Sequence, residues 1–99
     1  MTTFDKVKNI VTEEKNVLAA NYNVAGVSVF GSVARGEETD ESDIDMLVDF
    51  HEPIGLFKLV ALESYLTKKL GQKVEIATRK SLSPYIKDSI LKEEQIIYA

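Results

Sequence analysis

The chain contains no cysteine among its 99 residues, so it can form neither a disulfide framework nor a cysteine-based metal site. This absence fits a reducing compartment. Basic residues are the minority, and the formal net charge of −4 argues against a general nucleic-acid-binding protein, which would carry a basic face. No apolar run is long enough to cross a bilayer, and the first residues lack the apolar segment of a signal peptide. We therefore expect a cytoplasmic protein that contacts neither membranes nor nucleic acid directly.

The length of the chain predicts one domain, residues 1–99, with a core of modest size. The apolar fraction of 44% and the charged fraction of 28% are ordinary for a globular protein, so disorder is not expected. A domain this small has little material left for a deep, self-contained substrate pocket. We expect any large acceptor molecule to dock from outside.

Hydrophobic periodicity predicts three helices and three strands, joined in part by one polar loop. The predicted elements are, in chain order, a helix at 3–21, a strand at 24–30, a loop at 31–42 with room for one short helical turn, a strand at 44–50, a helix at 56–70, a strand at 73–78 and a helix that begins at Ser83-Pro84. The apolar residues 96–98 are expected to form a short edge strand or a coil. The simplest packing is an α/β (α+β) fold with three or four strands in one sheet and helices mainly on one face.

Further expectations concern the ends and faces of the helices. Thr2 and Asp5 resemble a capping box at the start of the first helix. Glu63 of the middle helix is expected at an exposed edge. The apolar residues expected to face inward are Leu56, Leu59, Val60, Leu62, Leu66 and Leu70 in the middle helix, and Ile86, Ile90 and Leu91 in the last helix.

Two short motifs lie at the ends of the first two predicted strands. Gly31-Ser32 follows the first strand, where glycine lets a phosphate approach exposed backbone N–H groups and serine supplies a hydroxyl donor. Asp43 and Asp45 stand two residues apart at the start of the second strand, so their side chains point to the same face. Such a pair is costly unless it is solvated or neutralised by a cation, and its oxygen ligands suit Mg²⁺ completed by substrate phosphates. Together the two motifs suit a nucleoside triphosphate.

Each motif alone has a simpler interpretation. A glycine–serine pair after a strand is usually a turn, and an isolated pair of aspartates carries little information. The acidic segment from Glu37 to Asp43 would ordinarily be a solvated loop. Only the joint occurrence of the motifs at two strand ends favours a functional site. The single histidine, His51, has no visible partner group and is expected to be a surface or loop residue.

The pattern Gly31-Ser32, ten residues, then Asp43-x-Asp45 resembles the signature of the polymerase-beta-like nucleotidyltransferase superfamily. The strings FGSVARG at 30–36 and SDIDMLV at 42–48 are similar to those of the minimal nucleotidyltransferases of prokaryotic HEPN/MNT toxin–antitoxin pairs. The similarity extends over nearly the whole chain. It implies the polymerase-beta-like nucleotidyltransferase fold with its mixed sheet, ATP as substrate and a two-metal Mg²⁺ site.

The resemblance also implies roles for individual residues. The glycine and serine of the first motif would hold the triphosphate, and the two aspartates of the second would bind Mg²⁺. A third carboxylate of the family comes from the adjacent strand, where this chain has Glu75 and many relatives have Asp. Glu75 could be a metal ligand, a general base for the acceptor hydroxyl, or a solvent-facing residue. Arg35 could contact phosphate oxygens or pair with the acidic loop.

The function implied by the resemblance is transfer of AMP from ATP to a hydroxyl, expected to be a tyrosine, of a helical HEPN ribonuclease toxin. The chain would then be an antitoxin that acts as an enzyme. Two other interpretations stay open. The chain could be a non-catalytic binding module with a vestigial nucleotide site, or the catalytic subunit of a two-subunit enzyme that modifies small molecules.

Overall fold

Two consecutive helices open the chain and strands then alternate with helices, in a computed structural model that describes residues 2–39 and 41–99. The helices are α1 (Thr3–Glu13), α2 (Lys15–Tyr22), α3 (Gly31–Arg35), α4 (Leu56–Leu70) and α5 (Pro84–Glu93), with a short 3₁₀ turn at Arg79–Ser81. The strands are β1 (Val24–Phe30), β2 (Ile44–Phe50), β3 (Val74–Ala77) and β4 (Gln95–Tyr98).

The strands form one sheet in the order β3-β2-β1-β4. Strand β1 runs antiparallel to both β2 and β4, whereas β2 and β3 are parallel. A parallel pair needs a long connection, and α4 supplies it between β2 and β3. The sheet is therefore mixed, as the resemblance implied, and the last apolar residues add an edge strand to it.

The core lies between one face of the sheet and helices α1, α2 and α4. Val27 and Val29 of β1 stand opposite Val48 and Met46 of β2 in the antiparallel register, and all four side chains are buried. The helices add Val7, Val11, Leu18, Leu62, Leu66 and Leu70 to the same cluster. Removing such apolar surface from water contributes about 25 cal/mol per Å². The alternation along β2 then leaves Asp45 on the other face of the sheet.

The prediction of one unbroken helix at 3–21 is wrong, because the helix divides at Glu14 into α1 and α2. The Glu14 backbone leaves helical geometry with φ −89° and ψ 2°. Its carboxylate accepts a hydrogen bond from Tyr65 Oη at 2.7 Å and pairs with Lys69 Nζ at 3.2 Å, both on α4. These contacts hold the bend against α4 while Leu18, beyond the bend, stays buried in the core.

The expectation that the whole apolar set of α4 faces inward is also wrong. Leu56 and Val60 leave 72% and 52% of their surface exposed. Full burial begins at Leu62 and recurs at Leu66 and Leu70, because the helix packs into the core cluster from Leu62 onward. The first half of α4 therefore presents apolar side chains to solvent.

Two further side chains lie differently from their predicted positions. Ile86 of α5 is half-exposed, and Ile90 is the residue of that helix that is buried. Glu63 is half-buried, since its Oε2 accepts a hydrogen bond from Ile76 N at 2.9 Å. Because β3 is an edge strand, this carboxylate satisfies a backbone donor that has no neighbouring strand.

The predicted helix starts are confirmed. Asp5 N donates to Thr2 Oγ1 at 3.0 Å and Thr2 N donates to Asp5 Oδ2 at 3.2 Å, which completes the capping box. Ser83 caps α5 through a hydrogen bond from Tyr85 N to its Oγ, with Pro84 in the first turn.

The two halves of α4 should respond differently to truncation. We expect Leu66→Ala to lower the free energy of unfolding by about 2–5 kcal/mol, because it opens a cavity in the core. Leu56→Ala, on the exposed half of the same helix, should change it by no more than about 0.5 kcal/mol. Urea unfolding followed by circular dichroism measures both, and equal losses would contradict this assignment of the core.

Candidate functional site

The candidate site lies on one face of the sheet, where the end of β1, the start of β2 and strand β3 are neighbours. Asp45 on β2 stands opposite Phe30 in the antiparallel pair and beside Glu75 in the parallel pair. Its neighbour Ile44 is buried in the core, so the Asp45 carboxylate lies on the opposite face. Gly31 follows Phe30 directly. The topology thus places the glycine turn next to the predicted carboxylates of two adjacent strands.

Gly31 occupies a position that suits glycine for two independent reasons. Its φ of +73° lies in the left-handed region, which side chains rarely adopt. A Cβ at this position would collide with Oδ2 of Asp45 and come within 3.3 Å of its Cγ. The missing side chain therefore lets the Asp45 carboxylate lie directly against the turn. Phosphate binding at this turn stays a prediction.

Helix α3 carries the other two residues predicted to hold nucleotide. Ser32 lies next to Gly31 in the first turn, and Arg35 lies in the last turn. The Arg35 guanidinium pairs with Glu37 Oε2 at 3.1 Å and with Glu93 Oε2 at 3.1 Å. Pairing with the acidic loop, one of the two interpretations of Arg35, is thus present in the structure.

Glu93 is a residue of this site that sequence reasoning missed. Its Oε1 accepts a hydrogen bond from Gly31 N at 3.0 Å, from a position 62 residues away along the chain. Glu93 ends α5 and belongs to no motif, so its sequence context carries no signal of this contact. Only the pairing of β4 with β1 brings the end of α5 to the turn.

Negative charge accumulates around Asp45. Burial raises the pKa of the Asp45 carboxyl above its usual range, and the charges of Glu75, Asp43 and Glu93 raise it further. Arg35 opposes this shift by favouring the ionised form. The negative charge at the site therefore exceeds the positive charge that Arg35 supplies. A bound cation would neutralise the excess.

The donor chemistry of the three predicted ligands fits Mg²⁺, which prefers carboxylate oxygens. Asp45 and Glu75 share a register position on adjacent strands, and Asp43, directly before β2, lies near enough for its charge to raise the pKa of Asp45. Across residues 2–39 and 41–99, no three His, Cys, Asp or Glu side chains converge closely enough to hold an ion as they stand. Glu75 instead pairs with Lys73 Nζ at 3.4 Å, with 52% of its side chain exposed.

A groove at the other end of β2 is a separate feature. Phe50, Leu59 and Arg79 are among the residues that line it. Phe50 lies five residues beyond Asp45, or about 16 Å along the strand. Arg79 is engaged there by Asp49 at 3.2 Å and by Glu94 at 3.0 Å. The groove therefore contains none of the residues predicted for the site.

His51 lies in a bend after β2 and is exposed, as expected. In the part of the chain that the structure describes, no helix is both long and apolar enough to span a membrane.

The contact between Gly31 and Asp45 can be isolated with a matched pair of variants. Gly36 has nearly the same backbone geometry as Gly31, with φ +71°, but a Cβ there would meet nothing within 4 Å. Gly31→Ala and Gly36→Ala should each lower the free energy of unfolding by about 1–2 kcal/mol, because alanine is strained in the left-handed region. Only Gly31→Ala should also displace Asp45. Thermal unfolding together with chemical shifts of Asp45 measures both effects, and identical behaviour of the two variants would contradict the close contact.

Asp45→Asn should raise the unfolding temperature near neutral pH, since it removes a charge held among other carboxylates. A raised pKa means that the folded chain binds the Asp45 proton more tightly than the unfolded chain. The contribution of Asp45 to stability is therefore full below the ordinary aspartate pKa and is lost as pH rises through the raised value. Thermal unfolding without divalent cations should show a larger gain at about pH 7 than at about pH 4. No gain at about pH 7 would contradict the charge crowding.

Known proteins resemble this chain over nearly its full length. Residues 5–97 match the family described as nucleotidyltransferase domain. A proposed protein adenylyltransferase of Methanocaldococcus jannaschii is 46% identical over 99 residues, which cover 99% of each chain. The protein adenylyltransferase MntA of Thermococcus cleftensis is 39% identical over 93 residues, or 94% of each chain.

A solved structure supports the same fold. The complex of a tri-AMPylated Shewanella oneidensis HEPN toxin with its MNT antitoxin contains a chain that matches with a TM-score of 0.68 and 16% identity, over 94% of this chain and 72% of that one. At this identity the likeness concerns the fold alone. The family match and the matches to the two relatives rest on the sequence itself. The matched range of the family and that of the Methanocaldococcus relative include the glycine turn and the paired aspartates. The chain therefore belongs to the nucleotidyltransferase domain family and is a minimal nucleotidyltransferase with the polymerase-beta-like fold.

Proposed function

We propose that the protein is an Mg²⁺-dependent protein adenylyltransferase that transfers AMP from ATP to a hydroxyl of a HEPN-type ribonuclease toxin and thereby acts as an antitoxin. The observation that carries the proposal is the contact of the Gly31 turn with Asp45. In this contact the backbone of the turn lies directly against the Asp45 carboxylate, which other carboxylates crowd and which a cation would neutralise. The names of the two relatives, and the AMPylated toxin in the related complex, support this acceptor class.

Nucleotide binding is assigned to the turn and to α3. Gly31 offers its backbone N–H at the end of β1, Ser32 offers a hydroxyl donor, and Arg35 offers a guanidinium suited to phosphate oxygens. Asp43, Asp45 and Glu75 would hold Mg²⁺. When bound, the cation supplies neutralisation of the charge on the phosphates and on the attacking and leaving oxygens.

The reaction is an in-line displacement at the α-phosphate of ATP. The acceptor oxygen forms a bond to the α-phosphorus, the bond to the bridging oxygen breaks, and pyrophosphate leaves. The hydroxyl proton must be accepted as the new bond forms. Glu75 suits this role because its carboxylate is exposed, ionisable and adjacent to Asp45 in the sheet.

The acceptor must reach an open face of the protein. Arg35 and Glu75 are both exposed, and Glu37 of the acidic loop at 37–42 pairs with Arg35 at 3.1 Å. Asp40 of this loop lies outside the described residues. The loop carries negative charge that repels RNA and attracts a basic protein surface, such as one that itself binds RNA. A toxin tyrosine on such a surface is the acceptor we propose.

Substitution of the aspartates should separate this function from its alternatives. The protein, ATP and Mg²⁺ are mixed with the HEPN toxin, and intact mass is measured. The wild-type chain should add one AMP or a small multiple of it to the toxin. Asp43→Asn and Asp45→Asn should add none, while Asp49→Asn, a matched aspartate on the same strand and face as Asp45, should retain transfer. Glu75→Gln should slow transfer by about 100-fold or more if Glu75 accepts the proton.

The alternatives give different results in the same experiment. A toxin that is inhibited without any mass increase would favour the non-catalytic binding module. Transfer to a panel of small-molecule acceptors, but not to the toxin, would favour the two-subunit enzyme. Transfer by Asp43→Asn at the wild-type rate would contradict the metal assignment.

A further inference from the structure

Glu93 occupies the turn to which the proposed function assigns the triphosphate. Its Oε1 accepts from Gly31 N at 3.0 Å, and its two oxygens accept from Arg35 Nη1 at 3.2 and 3.1 Å. A carboxylate held by a backbone amide and a guanidinium has the charge sign and the donors of a bound phosphate. We propose that Glu93 is a displaceable carboxylate that fills the phosphate turn of the empty protein until ATP displaces it. This inference rests on the proposed function of the turn.

Glu93 and a phosphate cannot both use the turn. A single backbone N–H donates one strong hydrogen bond, so Gly31 N serves either the carboxylate or a phosphate oxygen. The two anions would also repel each other at contact distance. The charge of Glu93 already adds to the negative field at Asp45. A triphosphate that binds this turn therefore requires the Glu93 carboxylate to leave.

The displacement requires only movement of the Glu93 side chain. The two residues that follow Glu93 are held by contacts of their own. Glu94 pairs with Arg79 at 3.0 Å, and Gln95 Nε2 donates to Ala34 O at 3.1 Å. The side chain retains 27% of its surface exposed, so solvent lies within its reach. Rotation about its own bonds would release the turn and leave α5 and β4 in place.

Displacement of Glu93 also makes the Arg35 guanidinium available to the nucleotide. Arg35 is shared between Glu37 and Glu93, and loss of Glu93 frees Nη1 while the Glu37 contact to Nε remains available. Because binding must first remove Glu93, the measured affinity for ATP is lower than the intrinsic affinity of the open turn. Glu93 thus tunes nucleotide affinity and holds Arg35 in position while no nucleotide is bound.

Calorimetry of Mg-ATP binding to Glu93→Gln tests this inference. Glu37→Gln is the matched control, because Glu37 also pairs with Arg35 but does not contact Gly31 N. Glu93→Gln should bind Mg-ATP at least about threefold more tightly than the wild-type protein, since Gly31 N and Arg35 hold a neutral amide less strongly than a carboxylate and ATP displaces it more easily. Glu37→Gln should stay within about twofold of the wild-type protein.

The other outcomes are decisive. Equal affinities of Glu93→Gln and the wild-type protein, or weaker binding by Glu93→Gln, would overturn the inference while leaving the proposed function intact. Equal tightening by both variants would also overturn it, because a general charge effect would then suffice. If the wild-type protein binds no Mg-ATP at all, both the proposed function and this inference fail.

A structure of the wild-type protein with a non-hydrolysable ATP analogue and Mg²⁺ provides a measurement that does not depend on the folding of any variant. We expect Gly31 N to donate to a phosphate oxygen and the Glu93 carboxylate to lie beyond hydrogen-bond distance from it. An analogue bound by Ser32 and the aspartates, with Glu93 still on Gly31 N, would overturn the inference.

Discussion

The site depends on the close approach of a backbone turn to a carboxylate, which is possible only because residue 31 has no side chain. Asp45 Oδ2 occupies the space that a Cβ of Gly31 would fill. The left-handed backbone at Gly31 turns the chain from β1 into α3 at that point. The function proposed above needs backbone donors for the phosphates beside oxygens for the metal ion, and the missing side chain of Gly31 would permit that arrangement.

The sheet topology supplies the remaining carboxylates. Because α4 returns the chain to run β3 parallel to β2, Glu75 comes to lie beside Asp45. Because β4 pairs with β1 at the opposite edge, Glu93 reaches the turn. The same topology concentrates negative charge, with Arg35 as the cation that offsets part of it. A site of this kind is more costly to fold than a neutral one, and cation and nucleotide binding would recover part of that cost.

The parts of the fold that followed from the sequence are those set by local pattern. Alternating and β-branched residues predicted β1 and β2 with their observed bounds, and Gly55 and Gly71 flank α4 where the apolar periodicity begins and ends. The bend at Glu14 could not be predicted, because it depends on a contact with Tyr65, 51 residues away. The contact of Glu93 with Gly31 N could not be predicted for the same reason. Contacts between residues far apart in the chain do not show in the local sequence pattern. The short motifs at the strand ends can be recognised from neighbouring residues alone.

The site proposed for the metal ion and the triphosphate lies at the Gly31 turn and not in the groove near Arg79. Paramagnetic broadening of backbone amide resonances by Mn²⁺, added in place of Mg²⁺ with an ATP analogue, measures this directly. We expect Gly31, Ser32, Asp45 and Glu75 to lose intensity first and groove residues such as Phe50 to lose it only at higher Mn²⁺ concentration, because about 16 Å of strand separates Phe50 from Asp45. Broadening centred on Phe50 and Arg79, with Gly31 unaffected, would contradict this location of the site.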